Sequence, residues 1–462
     1  MKFINQGDQL VKTVLGIHRI QSDVCYRWSI YSIPHTMAGK KYLYHNFTKK
    51  IVLLEDDGVD FEKNRRYTAE EVKADKVLLQ LAESFFLVPE HKNEAESYVS
   101  FCKIARALKM KKEGYSSFTI LPTTACNARC VYCFEQGMKY VTMKRETVDQ
   151  LIRFIKENRN PNRTVHFSWF GGEPLIGKRI IDRICAAMRA EDIPFSSRMI
   201  TNGSLVSNEI IRKMQEEWNL KVLQITLDGT EEQYNLRKNY YYDYRSAYWH
   251  VLSRIKMLNE NGMSINIRVN LDQDNIESVP QMVEDLSNFI TNRKSVRLDL
   301  TPLFDVQADV DGISVWKRSF ELCDLIQSKG FMVNYHYHVI KCRYNFCMAD
   351  APYKALVVDP EGVLHNCEHI KIGEPLGDIW NGVTNTERIK KLAGVEPVQE
   401  RCRNCFSLPA CTTATVCEQD RVNCRYAAGE RLKRSLDIFI PSLEAKRAME
   451  EESDDEDESD IC

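Results

Sequence analysis

The chain has 462 residues, 44% of them hydrophobic and 28% charged, with 16 cysteines and a formal net charge of −2; that is enough for roughly two to four domains with sizeable cores. No run of about 18 apolar residues occurs, which excludes a membrane-spanning helix, and the start Met-Lys-Phe-Ile-Asn-Gln-Gly-Asp lacks a secretory apolar stretch. A cytoplasmic protein is expected, with cysteines that bind metal rather than form disulfides, because the cytosol keeps thiols reduced.

From about residue 20 to 112 the pattern gives a first unit. Tyr42–Asn46 and Lys50–Leu54, separated by Phe47-Thr48-Lys49, read as a hairpin. Glu70–Phe86 carries Val72, Val77, Leu78, Leu81 and Phe85 at helical spacing, and Leu87-Val88-Pro89 breaks it. Glu94–Met110 sets Tyr98, Phe101, Ile104, Ala105 and Leu108 on one face. The expectation is a small winged-helix-like module, or else a plain cap on the next domain.

From about Ser116 to Gln327 strands and helices alternate. The strands are predicted at Phe118–Leu121, Val165–Phe170, Arg198–Ile200, Val222–Leu227, Ile265–Val269 and Val296–Leu300. The helix Glu146–Lys156 turns Val148, Leu151, Ile152 and Ile155 inward. Six β/α units in series imply a parallel sheet. Six rather than eight predicts an α/β fold of the partial, open (β/α)6 TIM-like kind. From about Phe331 to Glu430 periodicity fades and cysteines crowd in, so this segment is expected to be held by metal more than by an apolar core. Nine acidic residues and no basic ones fill Glu450–Asp460. Without them the remainder carries +7. The tail has nothing to bury and is expected to be disordered. The boundaries expected are 1–112, 113–330, 331–440 and 441–462.

Cys126, Cys130 and Cys133 form a C-x3-C-x2-C triad just after the first core strand. Three thiolates hold three irons of a four-iron cluster and leave the fourth open to a reactant, whereas structural zinc wants a closed shell of four ligands. Gly171-Gly172-Glu173-Pro174, Thr201-Asn202-Gly203, Thr226-Leu227-Asp228-Gly229 and Asn270 follow or end later strands. Active sites of parallel barrels gather at that rim, so one composite site is expected. Taken singly, Gly-Gly-Glu and Asp228-Gly229 are ordinary turns, and Arg237 is a solvated cation.

From Ser116 to Cys424 the sequence resembles the radical S-adenosylmethionine (SAM) enzymes. The resemblance implies that SAM chelates the open iron and that reductive cleavage yields a 5′-deoxyadenosyl radical, which takes a hydrogen from substrate. It implies that Cys126, Cys130 and Cys133 ligate the cluster and that Tyr132 lies near the adenine. Gly171, Gly172 and Glu173 would meet the methionyl amino group. Thr226 and Arg237 would contact SAM, with Asn202 and Arg268 as further candidates.

The C-terminal cysteines resemble the SPASM extension of that family. Cys342-x4-Cys347 is followed by Gly362-x4-Cys367 and by Cys402-x2-Cys405-x5-Cys411-x5-Cys417-x6-Cys424. By the family scheme Cys342, Cys347, Cys367 and Cys417 hold one auxiliary four-iron cluster, and Cys402, Cys405, Cys411 and Cys424 hold another, three clusters in all. The x5 gap before Cys417 departs from the family's x3, and two zinc sites are the alternative use of the same thiols. Glu368 stands where a sulfatase-maturating relative has an aspartate base. Cys25, Cys102, Cys185, Cys323 and Cys462 show no ligand spacing; Cys102 and Cys185 are expected in the core, and Cys462 as a free thiol.

SPASM enzymes mostly modify peptides. The resemblance therefore implies a ribosomally made precursor peptide held through its leader, an electron donor such as flavodoxin or ferredoxin, and neither nucleic acid nor membrane. A leader could add to the hairpin edge near Lys49 and Lys50. Trp218-Asn219-Leu220 and Gln224–Thr230 resemble maturases of Cys-rich peptides, which join a cysteine sulfur to carbon as a thioether. The alternatives are a sulfatase-maturating type of enzyme, a small-molecule radical SAM enzyme and a zinc-binding interaction protein.

Overall fold

The computed structural model describes residues 1–445 apart from 16–18, 55–60, 110–112, 243–244, 304–310, 335–340, 343, 345–350, 372, 395–397, 399, 412–428 and 430–431. The expected acidic tail and Cys347, Cys417, Cys424 and Cys462 lie outside the described residues.

Six strands form the centre: β1 (Ser117–Ile120), β2 (Val165–Trp169), β3 (Phe195–Thr201), β4 (Leu220–Thr226), β5 (Ile265–Leu271) and β6 (Val296–Pro302). Each pairs in parallel with the next in sequence. The helices between them are α1 (Arg145–Asn158), α2 (Lys178–Ala190), α3 (Asn208–Glu216), α4 (Glu231–Lys238), α5 (Ala247–Glu260) and α6 (Val279–Phe289), with α7 (Asp311–Ser328) after β6. Their apolar stripes share one core with the outer faces of the strands, as Leu151, Ile181, Ile211 and Val283 do with Phe167, Met199, Ile225 and Ile267. The other face of the strands is polar. Along β5, Ile265, Ile267, Val269 and Leu271 are buried while Asn266, Arg268 and Asn270 are half-exposed. A parallel sheet covered on both faces would be apolar throughout; the alternation here marks one face as the lining of a concavity.

The sheet continues beyond the expected six strands. β7 (Met332–Val333) pairs in parallel with β6, and β8 (Ala355–Val358) pairs in parallel with β1. β9 (Val363–His365), β10 (Gly377–Asp378) and β11 (Gly382–Val383) then add antiparallel. The first part of the cysteine-rich segment is thus tied to the sheet by backbone hydrogen bonds, which its weak periodicity concealed.

The N-terminal unit has more strand than expected. Lys2–Phe3, Lys50–Leu54, Lys40–His45 and Ser32–Met37 form one antiparallel sheet in that order. Arg66–Tyr67, Tyr26–Trp28 and Leu87–Pro89 form a second. The predicted hairpin is present, with Tyr42 opposite Leu53. The predicted helix Glu70–Phe86 is instead two, Ala69–Ala74 and Lys76–Glu83. Asp75 is extended between them, and its carboxylate caps the second by accepting from the Val77 and Leu78 N–H groups. The hairpin edge near Lys49 and Lys50 is not open: Lys2–Phe3 covers Lys50–Leu54, Lys49 is fully buried, and Lys50 Nζ reaches Ser84 Oγ at 3.0 Å.

Residues 432–445 are helical, so 441–445 do not belong to a disordered tail. Leu432, Leu436 and Ile440 share a core with Ile4, Tyr42, Tyr44 and Ile51 of the N-terminal sheet. His35 Nε2 lies 3.0 Å from Asp437, and the Tyr42 hydroxyl donates to Glu444 at 2.9 Å.

Candidate active site

Cys126, Cys130 and Cys133 lie in the loop leaving β1, and all three are half-buried. The base of the loop is pinned by Thr123 and Thr124, whose hydroxyls donate to the carbonyls of Val141 (3.0 Å) and Lys139 (2.8 Å). The far arm docks on the end of α4: Arg129 N–H donates to the Lys238 and Asn239 carbonyls and Val131 N–H to that of Arg237, each at 3.0 Å. The last carbonyls of a helix have no intrahelical donors, and the cysteine loop supplies them. Burial pushes the Cys126 thiol up to about 12, against the Ala128 N–H, which favours the thiolate.

Gly171-Gly172-Glu173 stands against this loop. Gly172 N–H donates to Thr123 O at 3.1 Å and Glu173 N–H to Ala125 O at 2.9 Å. A Cβ on Gly172 would sit 2.3 Å from Ala125 O, and one on Gly171, whose φ is +103°, 2.5 Å from Thr123 O. The close approach the glycines permit is therefore to the backbone beside Cys126. The Glu173 carboxylate is fully buried. It accepts from Thr201 Oγ1 (2.7 Å), Asn202 N (2.8 Å) and Leu175 N (3.0 Å), and these donors oppose the upward push of burial on its pKa. Asn202 completes the link: its Nδ2 lies 2.7 Å from Asn127 Oδ1 and 4.0 Å from Cys126 Sγ. The ends of β1, β2 and β3 are thereby joined into one rigid rim.

Tyr132 donates its hydroxyl to Asp228. Lys238 lies 3.6 Å from the same carboxylate and 5.4 Å from the Tyr132 ring. Burial alone would lower the Lys238 pKa; Cys130, Tyr132 and Asp228 outweigh it and raise it. Sequence reasoning missed Lys238 and took Asp228 only as part of a turn. The one available signal was a lysine directly after Arg237, at the end of a helix starting beside Asp228-Gly229. Arg237, expected as a carboxylate clamp for SAM, instead holds Asp272 through both terminal nitrogens at 3.1 and 2.8 Å. Thr226 ends β4 on the polar face, opposite Arg268, and Arg268 Nη1 lies 3.7 Å from Asp299.

Glu368 lies over the same polar face, 3.7 Å from Arg198 of β3; burial raises its pKa and Arg198 opposes this. Next to it the His369 ring stacks on Phe134 at 3.9 Å, so Glu368 and half-buried Cys367 sit near the Cys133 end of the loop. Cys342 is elsewhere: it is buried in one core with Cys402, Cys405 and Cys411. Among the described residues no three Cys, His, Asp or Glu side chains converge as around a single metal ion.

The structure thus sets a three-cysteine loop and a buried carboxylate at the C-terminal rim of a sequential parallel β/α sheet. Residues 120–286 match the Radical SAM superfamily, so the chain carries a radical SAM domain there. That match implies SAM and one four-iron cluster, which the half-buried thiol trio and its rim fit. The chain is similar to the radical SAM cyclopropyl synthase TigE of Paramaledivibacter caminithermalis, 22% identical over 351 residues, or 70% of this chain and 71% of that protein. It is also similar to the serine-type anaerobic sulfatase-maturating enzyme of Klebsiella aerogenes, 22% identical over 282 residues, or 53% of this chain and 64% of that protein. Among solved structures, native anSMEcpe with bound AdoMet matches with a TM-score of 0.53 at 16% identity, over 71% of this chain and 97% of that one. The same protein with AdoMet and a Cp18Cys peptide gives 0.51 over the same shares. Likeness at this identity speaks for the fold. No helix among the described residues is long and apolar enough to cross a membrane.

Proposed function

We propose that this radical SAM enzyme matures a ribosomally made peptide, joining a cysteine sulfur to carbon as a thioether or forming another crosslink. The observation that carries the reading is the locking of Gly171-Gly172-Glu173 to the backbone beside Cys126 at the rim of the open sheet, which is best described as a partial (β/α)6 barrel. Cys126, Cys130 and Cys133 would hold the cluster, which with SAM supplies one-electron cleavage and a carbon radical. Glu173 and Asn202 keep the rim in place, and Tyr132 is held by Asp228 beneath it. Gly171, Gly172 and Thr226 would line the SAM position. Arg237 would act on that position through the Tyr132 ring, 5.4 Å from its guanidinium, rather than as a free clamp. The polar face with Arg198, Gln224, Asn266, Arg268 and Asp299 suits the amides of a peptide, and Glu368 above it would take a substrate proton.

Peptide chemistry is supported by the relatives: a solved neighbour holds a Cp18Cys peptide, and a curated one matures a sulfatase. Cys342, Cys347, Cys367, Cys402, Cys405, Cys411, Cys417 and Cys424 would carry two auxiliary clusters. The N-terminal residues to 112 would be a winged-helix-like leader-binding unit, with the leader added along Ser32–Met37, the outer strand of its sheet. The test incubates anaerobically purified enzyme with SAM, a reductant and a Cys-rich precursor encoded beside its gene. The expected result is 5′-deoxyadenosine together with a peptide lighter by a pair of hydrogens. Cleavage of SAM with no change in any Cys-rich peptide, and oxidation of a sulfatase-derived peptide instead, would move the enzyme to the sulfatase-maturating type.

A further inference from the structure

The helix Glu94–Lys109 carries a thiol that the candidate active site does not use. Cys102 is fully buried. It shares one core with Cys342, Cys402, Cys405 and Cys411, among Tyr31, Tyr98, Phe101 and Leu408. The Tyr31 hydroxyl lies within electrostatic reach of Cys342, Cys102 and Cys405 together, and Cys342 lies within reach of Cys102. Cys342 is also held from the N-terminal side, its N–H donating to Asp8 Oδ2 at 2.7 Å. Cys102 and Cys342 are therefore buried in one core, with Cys402, Cys405 and Cys411 packed against it, where the N-terminal unit abuts the C-terminal segment.

Two cations are buried at the same place. Lys49 is fully buried with its Nζ 2.7 Å from Asn46 Oδ1, and it acts electrostatically on Cys342. Arg106, one helical turn beyond Cys102, is 3% exposed and donates through Nε to the Tyr344 carbonyl.

We propose that Cys102 is a metal ligand: the N-terminal helix donates its thiolate to an iron–sulfur cluster shared with the C-terminal cysteines, taking one of the eight ligand positions otherwise given to them, and the cluster fastens the two parts of the chain together. This rests on the reading of those C-terminal cysteines as cluster ligands. Cys185 is the contrast, equally buried but packed among Ile181, Ile184 and Met188 in the core of the main sheet.

The experiment uses the full chain purified anaerobically, as wild type, Cys102→Ala, Cys102→Ser and Cys185→Ala, and reads iron content and the EPR of the reduced clusters. Three clusters give about twelve irons per wild-type chain; Cys102→Ala is expected to lose about a third of them, Cys102→Ser to keep iron with one altered EPR signal, and Cys185→Ala to match wild type. Full iron and an unchanged spectrum in both Cys102 variants would overturn the proposal and leave the C-terminal reading standing. Wild-type iron of only about four per chain would overturn both. If the Cys102 variants fail to fold, alkylation of the wild-type protein decides. Stripping the iron should expose Cys102 and leave Cys185 protected, and continued protection of Cys102 would sink the idea.

Discussion

The ammonium of Lys238 lies 3.6 Å from the carboxylate of Asp228, with 4% and 0% of the two side chains exposed. Tyr132, between two of the cysteines in sequence, donates to that same carboxylate. This buried pair is the electrostatic floor under the Cys130 end of the loop. Lys238→Met leaves the buried Asp228 without this counter-charge and is expected to cost about 3–5 kcal/mol of stability. Adding Asp228→Asn should recover most of the loss, as anaerobic denaturant unfolding would show. Removing a cation near Cys130 also disfavours the extra electron, so the reduction potential of the SAM-site cluster should fall. An unchanged potential would mean that Lys238 acts on the fold alone.

Gly172→Ala tests the lock between the two motifs. The added Cβ would meet Ala125 O at 2.3 Å, a backbone atom, so the cysteine loop must move. The expected outcome is loss of the SAM-site cluster and of 5′-deoxyadenosine formation, while circular dichroism stays near wild type. Normal iron and normal SAM cleavage would show that the loop tolerates the shift.

Acid stability should depend on His45. Burial and the neighbouring Lys50 and Lys49 lower its pKa from 6.5 to about 3. It is held neutral between Ser29 Oγ (3.0 Å) and Thr48 Oγ1 (2.8 Å). Between those values only the unfolded chain binds the proton. Stability is therefore complete above pH 6.5 and falls by about 1.4 kcal/mol per unit as the pH drops toward 3. His45→Gln should be less stable at neutral pH but show a shallower acid limb in thermal unfolding. An equally steep limb would assign the acid sensitivity to other groups.

Glu368→Gln keeps the shape of the side chain beside Arg198 and removes its basicity. If Glu368 takes a substrate proton, peptide turnover should fall at least tenfold, while iron content and SAM cleavage without peptide are kept. Turnover at the wild-type rate would reduce Glu368 to a partner of Arg198.

Leu436 is fully buried against the N-terminal sheet. Leu436→Ala should cost about 2–5 kcal/mol, and limited proteolysis should then reach the strands Ser32–Met37 and Lys40–His45 first. A protease pattern like that of wild type would mean that the N-terminal sheet stands without the C-terminal helix.

Much of the central architecture was readable because it is local and periodic. The apolar alternation of β5 and the stripe of α1 place strand and helix without knowledge of their partners, and the spacing of Cys126, Cys130 and Cys133 sets all three on one loop. The placement of Gly171-Gly172-Glu173 at the same rim followed from strand direction, since both motifs leave C-terminal strand ends. The break at Asp75 was hidden because hydrophobic spacing runs through it; only its capping geometry ends one helix and starts another. The strands β8 to β11 were hidden because short strands pair through backbone groups that side-chain patterns do not record.

The order of residues by itself determined the β/α alternation, the cysteine loop and the rim on which it stands, because periodicity and chain direction act over a few residues. Tertiary structure alone decided that Lys238 meets Asp228, that Arg237 is spent on Asp272, that Lys2–Phe3 covers the hairpin edge, and that Cys102 lies among the C-terminal cysteines. Each of these depends on which segments exclude water from one another, and a charge or thiol that looks solvated along the chain acquires its partner only when distant segments bury it.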